Sequence, residues 1–129
     1  MKSKSLLLFV CMGLVLLLCL VGCGLDNHTE YPEIAVSTNN ELGCVELIHD
    51  GTTYRPYGVV GSFFSLRGEQ IGIRKDEPNS KICEVKGYQS SEWLIDYLDV
   101  FMGGGDMLFK AVGVTEIPVK LEQYKEYDF

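Results

Sequence analysis

Hydrophobic residues are arranged in two different ways along this chain. From Leu6 to Val21 they form one continuous run without a charged residue, whereas after residue 42 they alternate with polar residues over short stretches. Alternation with a period of two is typical of half-buried β-strands, because successive side chains point to opposite faces. The pattern therefore predicts an apolar N-terminal segment followed by a β-rich domain.

Short β-favouring stretches separated by glycine turns predict the strands of that domain. Asp50-Gly51 lies between two of them, 44–48 and 53–60, and predicts a hairpin because glycine adopts the positive φ of a type I′ turn. Pro56 cannot donate a backbone hydrogen bond, so we expect an edge strand or a bulge there. Further strands are predicted at 62–67, 70–74, 81–86 and 107–109. Six or seven short strands indicate an all-β fold, a small antiparallel sandwich or barrel.

The segment 91–102 fits two periodicities. Its apolar residues fall at helical spacing, but with a period of two Trp93, Ile95 and Tyr97 also share one face. Aromatic and β-favouring residues, followed by a glycine turn at 103–105, favour a strand. We therefore predict a strand here, with a helix as the alternative.

The N-terminal apolar run has the three parts of a secretory signal peptide. Lys2 and Lys4 precede it, and small residues follow it from Gly22. The run is shorter than the roughly 18 to 20 residues needed to span the hydrocarbon core of a membrane. Extending it through Leu25 brings it to that length, so an uncleaved transmembrane helix is the alternative.

Leu20-Val21-Gly22-Cys23, at the end of this run, resembles the lipobox of bacterial lipoproteins. The resemblance implies a diacylglyceryl group on the Cys23 sulfur, cleavage before Cys23, and attachment to the extracytoplasmic face of the cell membrane. Two or more acyl chains give stable anchoring, whereas one gives only reversible binding. The chain then divides into a signal peptide (1–22), a lipidated N-terminus and tether (23–41), and a small β domain (42–129). That domain resembles short lipoproteins of Gram-positive bacteria, without a motif specific enough to assign residue roles.

The tether is predicted from its polar composition, which offers little apolar surface to bury. Within it, only Ile34-Ala35-Val36 could add a short edge strand.

The formal net charge is −7, and loss of Lys2 and Lys4 with the signal peptide would make it more negative. A nucleic-acid partner is not expected, because neutralising phosphates requires clustered Lys and Arg. An acidic surface is also repelled by anionic lipids, so the membrane is expected to be a partner only through the Cys23 lipid anchor.

Cys44 and Cys83 are the cysteines that remain as possible disulfide partners after cleavage and lipidation of Cys23. Secretion permits a disulfide between them, provided that their Cα atoms lie within about 7 Å. Both residues lie in predicted strands, where a buried free thiol is the alternative. The sequence leaves both readings open.

Motifs for catalysis, metals or cofactors are not found. The two histidines, His28 and His49, do not combine with cysteines at zinc-site spacing, and no serine lies in a G-x-S-x-G context. Asp96 and Asp99 would share a face only if their segment were helical. We therefore expect no cofactor and no enzymatic activity, with a cell-envelope hydrolase using acidic residues as the alternative.

Tyr54, Arg55 and Tyr57 form the one cluster that suggests recognition. Tyr and Arg are enriched at interface hot spots, and an edge strand can pair with an extended peptide. The alternative is aromatic packing at the rim of a barrel. The sequence therefore indicates a membrane-anchored accessory module that binds an envelope protein or peptide; a structural spacer is the remaining alternative.

Overall fold

The computed structural model describes residues 30–61, 66–98 and 105–129. These ranges contain seven β-strands and one short helix, with the following bounds: β1 Glu33–Asn39, β2 Cys44–His49, β3 Thr52–Val60, β4 Arg67–Arg74, β5 Glu77–Val85, β6 Trp93–Leu98, β7 Asp106–Ala111 and α1 Val119–Glu122.

The seven strands form a closed barrel in the order β1-β2-β3-β7-β6-β5-β4. Neighbouring strands are antiparallel except β1 and β4, which close the barrel as a parallel pair through Glu33–Ile73 and Ile34–Arg74. The prediction of an all-β barrel or sandwich is thus confirmed, with one parallel contact in an otherwise antiparallel sheet.

The hairpin turn and the bulge lie where the sequence predicts them. The β2–β3 hairpin turns at Asp50 (φ 49°) and Gly51 (φ 75°), both in the left-handed region that a type I′ turn requires. The register between β3 and β7 shifts between Pro56 and Gly58, which confirms the bulge alternative at Pro56.

The ambiguous segment contains strand β6, and the predicted return strand is β7. Residues 99–104 lie outside the described residues, as do 62–65 of the strand predicted at 62–67.

Strand β1 differs most from the predicted organisation. Residues 33–39, which the sequence analysis assigns to the tether, pair with β2 along most of their length, from Ala35–Ile48 to Asn39–Cys44. Ile34 is only 1% exposed. The folded domain therefore begins before Glu33 and not at residue 42, because this strand completes the barrel wall.

The inner core fills the barrel and takes side chains from every strand. Its fully buried members are Ile34, Leu47, Tyr54, Ile82, Leu94, Phe109 and Ala111, with Ile71 of β4 packed against them.

The outer core lies on the other face of the wall formed by β3, β7, β6 and β5. It contains Tyr57, Val60, Val85, Trp93, Ile95, Leu108 and Leu121. Ile117 and Tyr124 pack on it from the C-terminal segment, which we define as residues 113–129. Trp93, Leu94 and Ile95 are therefore all buried, because both faces of β6 are covered.

No helix within the ranges 30–61, 66–98 and 105–129 is long and apolar enough to cross a membrane.

Candidate functional site

The ladder between β2 and β3 covers only part of the two strands. The pairs Leu47–Tyr54, Ile48–Thr53 and His49–Thr52 lie next to the hairpin turn. Farther from the turn, β2 remains paired with β1 and β3 with β7. The two strands thus have separate partners on either side of a gap in the wall.

A cavity of about 320 Å³ lies at this gap. Gly43, Cys44 and Val45 line it from β2 and the turn before it, and Pro56 lines it from β3. Met107 and Phe109 of β7 add apolar wall. We call this cavity the β2–β3 opening.

An ion pair between Arg74 and Asp96 also lines the opening. Asp96 lies two residues after Leu94, so its side chain follows Leu94 to the interior face of β6. Arg74 Nη1 donates to Asp96 Oδ2 at 2.7 Å, and the Ser80 hydroxyl donates to Asp96 Oδ1. The side chains of Arg74 and Asp96 are 19% and 8% exposed, so the pair is largely removed from water.

Asp76 fixes the other edge of the same guanidinium. Arg74 donates through Nε to Asp76 Oδ1 at 2.9 Å and through Nη2 to Asp76 Oδ2 at 2.7 Å. This bidentate arrangement is the strong, geometrically specific form of an arginine–carboxylate pair. The hydrogen bonds from Arg74 lower the pKa of Asp76, and the hydrogen bond to Asp76 is the largest cause that raises the pKa of Arg74. Both groups therefore remain charged at neutral pH and orient ligands better than they transfer protons.

A second cavity, of about 340 Å³, reaches the same ion pair from the end of the barrel. It shares Arg74, Asp96 and Met107 with the opening and is lined in addition by Asp76, Glu77, Ser80, Leu98 and Gly105. The ion pair thus lies between two cavities, which we call the opening and the end cavity.

The C-terminal segment supplies the outer rim of the opening. Tyr127 and Phe129 both line it, and their rings stack with centroids 5.5 Å apart and planes 13° apart. Glu126 N and Tyr127 N both donate to the Tyr57 carbonyl oxygen, at 2.9 and 3.1 Å. The aromatic rim is therefore fixed at the bulge of β3.

The partner-binding cluster predicted at Tyr54, Arg55 and Tyr57 is not an exposed edge. Strand β3 lies between β2 and β7, and Tyr54 and Tyr57 are 1% and 3% exposed. The Tyr54 hydroxyl donates to Ser90 O at 2.7 Å, and Tyr57 packs edge-on against Trp93. Arg55 pairs with Glu46 at 2.7 Å. The edge-strand expectation is wrong because barrel closure gives β3 a partner on both sides.

Cys44 and Cys83 are free and buried, so the bridged alternative is not found. They lie on β2 and β5, which are not neighbours in the barrel. Burial is the largest cause that raises the pKa of each thiol. A thiol with a raised pKa is a poor nucleophile, so Cys44 contributes wall to the opening and not reactivity.

No sequence motif indicates Arg74 or Ser80 as a site residue. Asp96 is the single charged residue in the run Trp93–Leu98, and a charge within an apolar strand is a signal of a binding site. Its proposed pairing with Asp99 required a helix, whereas β6 is a strand, and Asp99 lies outside the described residues. His49 lies beside Asp50 at the hairpin, away from the opening.

Among the described residues, no group of three or more His, Cys, Asp or Glu side chains could hold a metal ion. Comparison with known proteins found no matching family model, no matching curated protein and no matching solved structure.

Proposed function

We propose that this protein is a lipid-anchored binding module of the cell envelope that receives a small ligand, or one side chain of a partner protein, in the β2–β3 opening. The observation that carries the proposal is a cavity at the gap between β2 and β3 whose lining includes the Arg74–Asp96 ion pair. Its volume of about 320 Å³ falls at the lower end of the range of small-molecule sites.

The ion pair supports a binding role because it adds little to stability by itself. Removing two charges from water costs about as much as their attraction returns, so apolar residues would stabilise a barrel interior at least as well. The side chains of Arg74 and Asp96 are fixed by hydrogen bonds, the first to Asp76 and the second from Ser80. Polar groups fixed in this way inside an otherwise apolar cavity are what a selective binding site requires.

The anchoring part of the proposal rests on the lipobox at Leu20-Val21-Gly22-Cys23, which lies outside the described residues. We expect the wild-type chain to incorporate fatty acid and Cys23→Ala to incorporate none, as measured by intact mass and detergent partitioning. A wild-type chain without lipid would contradict the anchor.

Filling the opening tests the binding part. Val45 lines the opening from β2, whereas Ile48 of the same strand is 40% exposed and does not line it. With the full chain in nanodiscs of zwitterionic lipid, we expect a small neutral aromatic alcohol, 2-phenylethanol, to bind and Val45→Trp to abolish binding. Ile48→Trp is the matched control and should bind as the wild type does.

Titration calorimetry against empty nanodiscs measures this binding. Equal binding by Val45→Trp and the wild type would place the site elsewhere. No binding of any small aromatic probe to the wild type would favour the structural-spacer alternative.

At this site a hydrolase could use Asp76 and Asp96, which are the carboxylates in contact with Arg74. Hydrogen bonds from that guanidinium lower the pKa of Asp76, so Asp76 is charged at neutral pH and is not suited to donate a proton as a general acid. Turnover of an envelope substrate that Asp96→Asn removes would nevertheless favour the hydrolase over the binding module.

A further inference from the structure

We infer that the ligand of the β2–β3 opening carries a positive charge, an ammonium or guanidinium group on a short apolar stem. This inference rests on the proposed function and specifies its ligand class. Arg74 and Asp96 line both the opening and the end cavity, whereas Asp76 and Glu77 line the end cavity. Because Arg74 pairs with both Asp96 and Asp76, the balance of charge at the shared ion pair is negative.

The arginine does not provide a site for an anion. Three of the five N–H donors of a guanidinium are already used here, two by Asp76 and one by Asp96. Its charge is thus compensated by two carboxylates, and an incoming anion would meet a net negative field. The two remaining N–H donors can still bind a neutral oxygen of the ligand.

Asp96, in contrast, retains capacity to accept hydrogen bonds. A carboxylate offers about four lone-pair positions, and Asp96 accepts one hydrogen bond from Ser80 and one from Arg74. Its side chain is only 8% exposed. An ammonium group that reaches it leaves water, so the attraction is stronger than at a surface carboxylate.

The walls of the opening suit the rest of such a ligand. Met107, Phe109 and Pro56 provide apolar surface for a stem. The stacked rings of Tyr127 and Phe129 form the rim, where a cation within about 6 Å of a ring centroid is attracted to the π face. The net charge of −7 also draws cations toward the protein.

Three probes of nearly equal size separate charge from shape: phenethylammonium, 2-phenylethanol and phenylacetate. With the full chain in nanodiscs of zwitterionic lipid, we expect affinity to fall in that order, with about a tenfold advantage of the ammonium over the alcohol. Higher salt should narrow that advantage. Phenylacetate or 2-phenylethanol binding as tightly as phenethylammonium would overturn the inference while leaving the proposed function intact.

Variants of the carboxylates test which residues select the charge. Asp96→Asn should reduce phenethylammonium affinity about tenfold more than it reduces 2-phenylethanol affinity, a selective effect that a misfolded variant would not show. Because Asp96 is buried, Glu77→Gln provides a second variant with a smaller selective loss, and Glu84→Gln on the same strand is its control. Equal losses for both probes, or none for either, would contradict a charge-selecting role.

If phenethylammonium binds, the natural cation is either a free amine or a basic side chain of a partner protein, and competition experiments distinguish the two. A free amine predicts that lysine amide and phenethylammonium compete for the same site. A basic side chain of a partner protein predicts competition by an extended lysine-containing peptide but not by lysine amide. Failure of both competitors would restrict the site to aromatic cations.

Discussion

The inner and outer cores are built on the two faces of the same strands, yet they are closed by different means. Trp93 and Leu94 are neighbours in the chain, and both are 0% exposed, but Leu94 belongs to the inner core and Trp93 to the outer one. Seven hydrogen-bonded strands enclose the inner core. The outer core is covered by the C-terminal segment, whose regular structure among the described residues is the four-residue helix α1.

The difference shows which part of the molecule can loosen without opening the barrel. The C-terminal segment is held by the buried Leu121, by packing of Ile117 and Tyr124, and by the two hydrogen bonds to Tyr57 O. The same segment carries Tyr127 and Phe129 to the rim of the β2–β3 opening. The candidate site therefore combines a rigid interior ion pair with a rim that depends on the outer core.

The largest expected effect comes from emptying either core at adjacent positions. Trp93→Ala and Leu94→Ala should each lower the free energy of unfolding by about 3 to 5 kcal/mol, a large part of the stability of a small domain. Their patterns of hydrogen exchange should differ. Trp93→Ala should lower the protection of the amides of residues 126 and 127 further than that of the strand amides, whereas Leu94→Ala should lower protection evenly throughout the barrel.

Denaturant unfolding and native-state hydrogen exchange measure the two quantities. The same loss of protection in both variants would show that the two cores form one cooperative unit. That result would also remove the distinction between a rigid interior and a separately held rim.

Sequence patterns predicted the parts of the barrel that local chemistry decides. Asp50-Gly51 determines a hairpin, and Pro56 determines a bulge, because each acts through its own backbone. The polar composition of strand β1 predicts a tether, although its pairing with β2 is local; its pairing with β4, which closes the barrel, depends on residues far along the chain. Closure then buries Tyr54, which an open edge would have exposed.

The outer core and the candidate site could not be predicted from local sequence patterns. A period of two correctly places Tyr54 and Tyr57 on opposite faces, but it does not reveal that the C-terminal segment covers the outer face. Arg74 and Asp96 lie on β4 and β6, which are separated by β5 in the sheet. Their contact follows from barrel curvature, which no local pattern encodes.

A smaller effect is expected where the C-terminal segment approaches β3. A Cβ atom at Gly58 would overlap the Tyr124 carbonyl oxygen, whereas one at Gly61 would meet no atom within 4 Å among the described residues. Gly58→Ala should therefore displace the segment at a cost of about 1 to 3 kcal/mol, as overpacking does. Gly61→Ala is the matched control and should leave the segment in place.

Limited proteolysis at the C-terminus and the affinity for 2-phenylethanol report the displacement. We expect faster cleavage and weaker probe binding in Gly58→Ala, since the rim of the opening moves with the segment. Cleavage at the wild-type rate would mean that the segment accommodates the methyl group, and the rim would then be as rigid as the barrel.

The smallest effect, but the one with opposite signs, concerns the two buried tyrosine hydroxyls. Tyr54 in the inner core donates to Ser90 O, whereas the Tyr57 hydroxyl and the Trp93 Nε1 in the outer core have no hydrogen-bond partner among the described residues. A buried polar group without a partner costs about 1 to 3 kcal/mol, and a satisfied hydrogen bond contributes about 1 kcal/mol. Tyr54→Phe should therefore lower the melting temperature by several degrees, while Tyr57→Phe should raise it by a similar amount.

Both variants keep the aromatic ring, so the packing of the ring is the same in each pair of proteins and only the hydroxyl group differs. A fall in melting temperature for Tyr57→Phe as large as that for Tyr54→Phe would show that a buried water satisfies the Tyr57 hydroxyl, and that the outer core is as fully hydrogen-bonded as the inner one.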